Sequence, residues 1–353
     1  ISSFKPDLVG FNTITGQHPF AIKVSEQIKR EFDNIKTIAG GPHATYFPEI
    51  LKEKPLDYVG INECEIPLAQ LMERLANGDR TDDIPGIYAK KNGEIVENPP
   101  STFVINLDEL PFCDRELFLR YQSSYTNQFF IGRGCPYKCT FCFNPKSQEH
   151  FNGQKYTRWR SPENVIEEIK QVVERGNIQS IRFQDDTFTA NRKYLKEFLP
   201  LYKKEIGLPY NANFRAELMN ENLARLLKDT GCTMLGCGLE TADEKLRNTV
   251  LGKNIDNQKY FEAARCLHQV KLPFGTSNMM ALPGEAIQQG FETIRMNIEL
   301  GTNYPWFAIF QIYPSTNISN YASDLLGIDP VRMDEFDLDY HSNSTLPGKD
   351  ARQ

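Results

Sequence analysis

Two stretches of this chain alternate strand-like and helix-like patterns, and that alternation restricts the fold more than any other feature. In residues 1–97, the segments 7–11, 36–39 and 57–61 read as short buried strands. Between and after them, 20–32 places Ala21, Val24, Ile28 and Phe32 on one helical face, and 65–75 is a second apolar-faced helix. Strands separated by helices imply a parallel, doubly wound α/β sheet. Ligands of such sheets sit outside the carboxyl ends of the strands, here 12–17, 40–46 and 62–65. Residues 127–312 repeat strand and helix about six times, with strands near 128–131, 179–184, 210–214, 233–238, 274–281 and 307–312. That order predicts a partial (β/α)6 barrel with chemistry at the same ends. Ser161 and Pro162 read as the N-cap and first residue of a helix that stops before Gly176. Asn98-Pro99-Pro100 breaks regular structure, so 98–126 reads as a linker between a domain at 1–97 and one at 127–316. Residues 317–353 read as the start of a C-terminal region. The first residue is Ile1, and the whole reads as a piece of a longer protein.

Within the first strand-to-helix loop of the barrel stand Cys135, Cys139 and Cys142, spaced C-x3-C-x2-C. Three thiols so close can face one soft metal centre. A tetrahedral zinc site wants a fourth Cys or His ligand; the nearest His is His150, and no second C-x2-C completes a zinc pattern. Three thiolates on a cubane cluster leave one iron open to a further ligand. Buried free thiols are the third alternative.

Composition narrows the class. Of 353 residues, 40% are hydrophobic and 24% charged, the balance of a globular protein with room for two cores. The other five cysteines are scattered, unlike a small disulfide framework, which points to a reducing cytoplasm. No apolar run approaches the ~18 residues of a membrane span. A net charge of −6 without a long basic tract gives no footing for a nucleic-acid partner.

The run Gly134-Cys135 to Cys142-Phe143 resembles the cluster motif of the radical S-adenosylmethionine (SAM) enzymes. The resemblance implies that Cys135, Cys139 and Cys142 hold a [4Fe-4S] cluster, that SAM chelates its fourth iron, and that Phe141 lies beside the adenine. Further segments fit in order, one per strand end. Asp185-Asp186 follows the second strand, as an acidic run that could bind the SAM ammonium or cap backbone. Arg215 follows the third, where an Arg commonly contacts SAM. Gly238-Leu239-Glu240 follows the fourth, where Glu meets SAM. Leu282 lies in the segment after the fifth that backs the adenine, with Ala281 in place of the more usual Gly. Tyr313-Pro314-Ser315-Thr316 resembles a Y-P-G-T segment, with Ser315 in the Gly place.

The N-terminal loops resemble the second half of a cobalamin-binding Rossmann-like domain. Phe11-Asn12-Thr13-Ile14 stands in the place of an S-x-L motif, and Gly40-Gly41 in that of a GG motif. The cobalamin candidates are therefore Asn12, Thr13, Gly40, Gly41, His43 and Glu63; a structural role for His43 in its loop is the alternative. A generic flavodoxin-like fold without cofactor is the other reading of the domain. The expected fold is thus a partial Rossmann-like domain followed by a partial radical SAM barrel.

The resemblance implies an enzyme that cleaves SAM to a 5′-deoxyadenosyl radical, with a cobalamin-dependent methyl transfer to an unactivated carbon or phosphorus as the leading reading. A non-methylating enzyme that forms a ring or hydrates a tetrapyrrole or natural product is the alternative. A non-catalytic corrinoid or iron–sulfur carrier would have no need of Arg215 and Glu240. The implied partners are a small-molecule substrate and an electron donor such as flavodoxin or ferredoxin, with no nucleic acid and no membrane.

Overall fold

The structure, a computed structural model, describes residues 1, 3–32, 34–53, 55–116, 127–150, 153–176 and 178–327. Linker residues 117–126 and C-terminal residues 328–353 lie outside the described residues. The chain divides into two compact units. One comprises Ile1–Phe103 with Ser147–Gln154; the other holds Val104–Lys146 and the described residues from Lys155 onward.

The first unit is built on a sheet in the order β1 (Leu8–Asn12), β2 (Lys36–Gly40), β3 (Tyr58–Gly60), β4 (Ile87–Lys91) and β5 (Glu94–Val96). The first three strands pair in parallel, and β4 and β5 are antiparallel. Helix α1 (His18–Glu31) starts two residues before the expected position, because Pro19 suits the first turn of a helix, where its missing N–H costs nothing. Helix α2 (Pro42–Tyr46) follows β2, and α3 (Glu65–Asn77) follows β3, ending on left-handed Gly78. The β4–β5 hairpin turns at Asn92-Gly93, both with positive φ (52° and 85°), as a two-residue type I′ connection requires. Ala39, Ala44, Leu51, Leu56 and Val59 form one core beneath the sheet, and Ile38, Tyr58, Leu71, Ile84 and Ile87 another.

In the second unit, β6 (Gln128–Phe129) leads to β7 (Gly132–Arg133), the Cys loop and α4 (Asn144–His150), whose last residues are counted with the first unit. Strand β8 (Arg158–Trp159) then pairs antiparallel with β7. Helix α5 (Pro162–Arg175) begins as expected: the Ser161 hydroxyl accepts from Asn164 N–H. There follow β9 (Ile181–Phe183), α6 (Arg192–Glu205), β10 (Tyr210–Phe214), α7 (Glu221–Asp229), β11 (Cys232–Glu240), α8 (Glu244–Thr249), α9 (Asn257–Gln269), β12 (Phe274–Met280), α10 (Ile287–Glu299), β13 (Tyr304–Ile309) and α11 (Asn317–Leu326).

The large sheet runs β13-β12-β11-β10-β9-β6, with every neighbouring pair parallel. This is the partial (β/α)6 barrel. Phe183, Phe188, Phe198, Tyr202 and Tyr210 pack ring to ring in its core and fix β9 and β10 against α6. Strand β13 begins three residues before the expected point, at Tyr304. Pro305 is tolerated there because β13 is an edge strand, where one face of the backbone needs no ladder partner.

Candidate functional site

The Cys loop occupies the carboxyl end of β6 and is fastened at several backbone points. Asp185, at the end of β9, takes the N–H of Ile131 on one oxygen (3.1 Å) and that of Gly132 on the other (2.9 Å). Burial pushes this carboxyl up to about 7. Both Asp185 oxygens thus cap backbone, and its neighbour Asp186 accepts from Asn144 Nδ2 at 3.0 Å. Gly134 has φ +80° and lies so close to the Tyr156 carbonyl that an added Cβ would come within 2.7 Å of it. On the far side, Thr140 N–H donates to the Leu251 carbonyl (3.0 Å) and its hydroxyl to Val250 O (2.6 Å). The Thr140 carbonyl accepts from Ile318 N–H at the start of α11.

Cys135 and Cys139 are buried and Cys142 is half-buried. All eight cysteines are free thiols. Each of the three has a polar neighbour: Thr187 Oγ1 lies 3.8 Å from Cys135 Sγ, Arg215 Nη1 3.7 Å from Cys139 Sγ, and Asn144 Nδ2 3.3 Å from Cys142 Sγ. Burial raises the Cys135 and Cys142 thiols above their ordinary range, and the charge of Asp186 adds to it. Each thiol of that pair also feels a neighbouring member of the triad. Among the described residues, no three His, Cys, Asp or Glu side chains are grouped to hold a single metal ion. Three thiols on one loop, each with its own hydrogen-bonding neighbour, suit a centre whose irons are bound one per sulfur.

Phe141 packs against an apolar group containing Leu282, Leu246, Val250, Leu251 and Ile312, with Met279 beside it. The structure therefore places in one apolar group two residues 141 positions apart for which the resemblance implies one purine-binding role. The turn carrying Leu282 is held by Glu285, which accepts from Leu282 N–H (3.0 Å) and the Thr241 hydroxyl (3.3 Å). Ala281 and Ser315, the two residues in expected Gly places, both have positive φ, 61° and 64°.

At the end of β11 the ladder bulges between Gly238 and Glu240, and Glu240 takes φ 69°. Its carboxylate folds back over Gly238 to meet Lys253 Nζ at 2.6 Å, and both side chains are buried. A Cβ on Gly238 would collide with both groups. Sequence reasoning did not single out Lys253, because it stands in a loop rather than at a strand end. Arg215 is held at several points: Nε donates to Glu217 Oε1 (2.6 Å), Nη2 to the Lys253 carbonyl (2.9 Å), and the guanidinium lies 3.5 Å from the Tyr137 ring centroid.

In the first unit, Thr13 ties the loops after β1 and β2 together. Its N–H and hydroxyl both donate to Gly40 O (2.7 and 2.8 Å), and its carbonyl accepts from His43 N–H (3.0 Å). Gly41 has φ +91°, and a Cβ there would strike Asn12 Oδ1 and the Thr13 carbonyl. Gly40 has open space where its side chain would be. His43 is buried, stacked on His18 at 3.7 Å between centroids, with Thr15 Oγ1 3.2 Å from Nδ1. Burial first, and His18 second, pull its pKa down to about 3, so it is neutral. Glu63 stands on the loop after β3, beside Asn62 with φ 62°. Asn62 Nδ2 is buried without a hydrogen-bond partner among the described residues. An unspent buried donor and a bare glycine edge at the carboxyl ends of parallel strands fit a large polar-rimmed ligand.

Comparison with known proteins agrees with both halves. Residues 129–296 match the radical SAM superfamily, and residues 1–72 the B12 binding domain. An uncharacterised methyltransferase of Pyrococcus horikoshii is 30% identical over 91% of this chain and 70% of its own length. The chain belongs to the radical SAM enzymes that carry a cobalamin-binding domain. Cytidylyl-2-hydroxyethylphosphonate methyltransferase of Streptomyces wedmorensis is 26% identical over 73% of the chain and 54% of its own length. The anaerobic magnesium-protoporphyrin IX monomethyl ester cyclase of Rubrivivax gelatinosus is 24% identical over 92% and 60%. The fold matches that of the radical SAM methyltransferase TsrM from Kitasatospora setae, with TM-score 0.72 and 16% identity over 90% of this chain and 65% of that one. This radical SAM protein thus spans a little over half to about two thirds of these relatives. The cofactors of its family are a [4Fe-4S] cluster, SAM and cobalamin. Among its described residues no helix is long and apolar enough to cross a membrane.

Proposed function

We propose that this radical SAM protein is a cobalamin-dependent methyltransferase acting on an unactivated carbon or phosphorus of a small molecule in the cytoplasm. The observation that carries the reading is one chain holding both a B12-binding match over residues 1–72 and a cysteine loop fastened at a barrel strand end. Its domains in this reading are a cobalamin-binding part to residue 97, a linker at 98–126 and a barrel at 127–316, although the compact units divide between Phe103 and Val104 and count Ser147–Gln154 with the first. The electron comes from a flavodoxin- or ferredoxin-like donor.

When bound, the cluster and SAM would supply reductive chemistry at an otherwise inert centre, and cobalamin a transferable methyl group. The chain's own residues do the positioning. Cys135, Cys139 and Cys142 would hold the cluster as thiolates. Thr187 beside Cys135 and Asn144 beside Cys142, together with the cluster's own charge, would offset the burial that raises those two thiols. Phe141 and Leu282 present an apolar wall for the adenine, and Gly238 leaves the space that the Glu240–Lys253 pair fills. The Glu240 carboxylate, with one oxygen on Lys253, keeps a second oxygen for an ammonium or ribose hydroxyl. Asn12, Thr13, Gly40, Gly41, His43 and Glu63 would line the corrin site.

A ring-forming, non-methylating enzyme is the second reading, favoured by the 24% identity to the Rubrivivax cyclase over 92% of the chain. Anaerobic reconstitution of the full-length protein with cobalamin, followed by mass spectrometry of SAM products and candidate substrates, separates the two. Transfer of a labelled SAM methyl group to substrate supports the methyltransferase; SAM consumption with no labelled product, for every substrate that turns over, rejects it.

A further inference from the structure

We propose that Arg215 is a positioning residue for the Cys loop: it donates to the Cys139 sulfur and raises the reduction potential of the cluster, instead of clamping the SAM carboxylate. The inference rests on the cluster assignment above.

The guanidinium is fixed on its edges and on its face before any ligand arrives. It is only 8% exposed. Each of its three nitrogens already has an acceptor, and the acceptors lie on three different segments. Nε donates to Glu217 Oε1, Nη2 to the Lys253 carbonyl and Nη1 to Cys139 Sγ. Its face rests on Tyr137, two residues before Cys139, with the carbon centre 3.5 Å from the ring centroid. These partners fix the plane of the fork, so a carboxylate is limited to the one N–H left on each Nη and to the approach that plane allows. Adding an electron to an iron–sulfur cluster places negative charge on its sulfurs, and donors to those sulfurs stabilise the reduced form and raise the potential. Tyr137 contributes by holding the donor in place, since a cation on an aromatic face is worth more when desolvated. Arg215 therefore connects the end of β10, the Lys253 loop and the Cys loop, and its action on the reaction runs through Cys139.

The test is an EPR-monitored redox titration of the full-length protein with its cluster and cobalamin loaded and SAM left out. Wild type is compared with R215M, R215K and Y137L, alongside equilibrium SAM binding. R215M is expected to make cluster reduction about tenfold less favourable, a fall of about 59 mV for one electron. R215K and Y137L should shift the midpoint the same way by less, with SAM affinity in Y137L within twofold of wild type. A wild-type midpoint in R215M with weakened SAM binding would overturn the proposal and return Arg215 to the SAM carboxylate. If R215M does not retain iron, unchanged midpoints in both R215K and Y137L overturn it equally. A wild-type protein that never takes up four irons would instead strike the cluster assignment, and this inference with it.

Discussion

Lys253 and Glu240 meet at 2.6 Å, Nζ to Oε1, with side chains 7% and 9% exposed. The pair closes the end of β11 against the loop that also fastens Thr140 and Arg215. Gly238 leaves the space in which it forms. Breaking a buried pair from one side leaves an uncompensated charge and costs about 3–5 kcal/mol. Glu240→Gln should therefore lower the melting temperature, and the double variant E240Q/K253M should recover most of the loss. Iron content should stay intact while SAM binding weakens. Calorimetric titration checks this, and wild-type SAM affinity in E240Q would confine Glu240 to a structural role.

The cysteine triad gives the sharpest loss. Replacing Cys135, Cys139 or Cys142 singly with Ala should abolish SAM cleavage, because in the proposed cluster each thiolate would hold a different iron. Replacing Cys232 or Cys266, buried in the barrel core, should cost stability without emptying the site. Iron analysis beside product chromatography distinguishes the two sets.

Ala281 and Ser315 sit in left-handed backbone, φ 61° and 64°. An L-residue there carries a penalty of about 1–2 kcal/mol that Gly avoids, partly offset by the greater entropy Gly loses on folding. Ala281→Gly and Ser315→Gly should each leave the melting temperature unchanged or raise it, by up to about 1 kcal/mol in stability. A clear destabilisation in thermal melts would contradict the backbone assignment.

These positions show what was legible in the sequence. Strand ends, the Cys loop and the helix start at Ser161 follow from periodicity, spacing and capping chemistry, all of which are local. The replaced glycines at 281 and 315 were visible as departures, but their φ values were not. The β4–β5 hairpin carried a local signal in Asn92-Gly93 that alternation of strand and helix obscured. Lys253 carried none, since its partner lies 13 residues away across a bulge. The contacts of Asp185 and Arg215 were equally hidden, because they reach backbone amides and a sulfur on distant segments.

His43 sets an acid limit on the first unit. Burial holds its pKa near 3, against an ordinary 6.5, so the unfolded chain takes up a proton that the folded one does not. Stability from this group is complete above pH 6.5 and is lost as pH falls toward 3. Between pH 6.5 and 5 the loss approaches about 2 kcal/mol. Chemical denaturation at the two pH values should show a smaller difference for His43→Gln than for wild type. Equal differences would mean that His43 titrates normally.

In the proposed site Cys135, Cys139 and Cys142 would hold a cluster with one iron open to SAM. The EPR spectrum of the anaerobically reconstituted, reduced full-length protein, recorded with and without SAM, tests it most directly. The expected result is the signal of a reduced [4Fe-4S] cluster whose shape changes when SAM is added, and no such signal in C139A. A cluster spectrum that SAM leaves untouched, or one that survives in C139A, would contradict it.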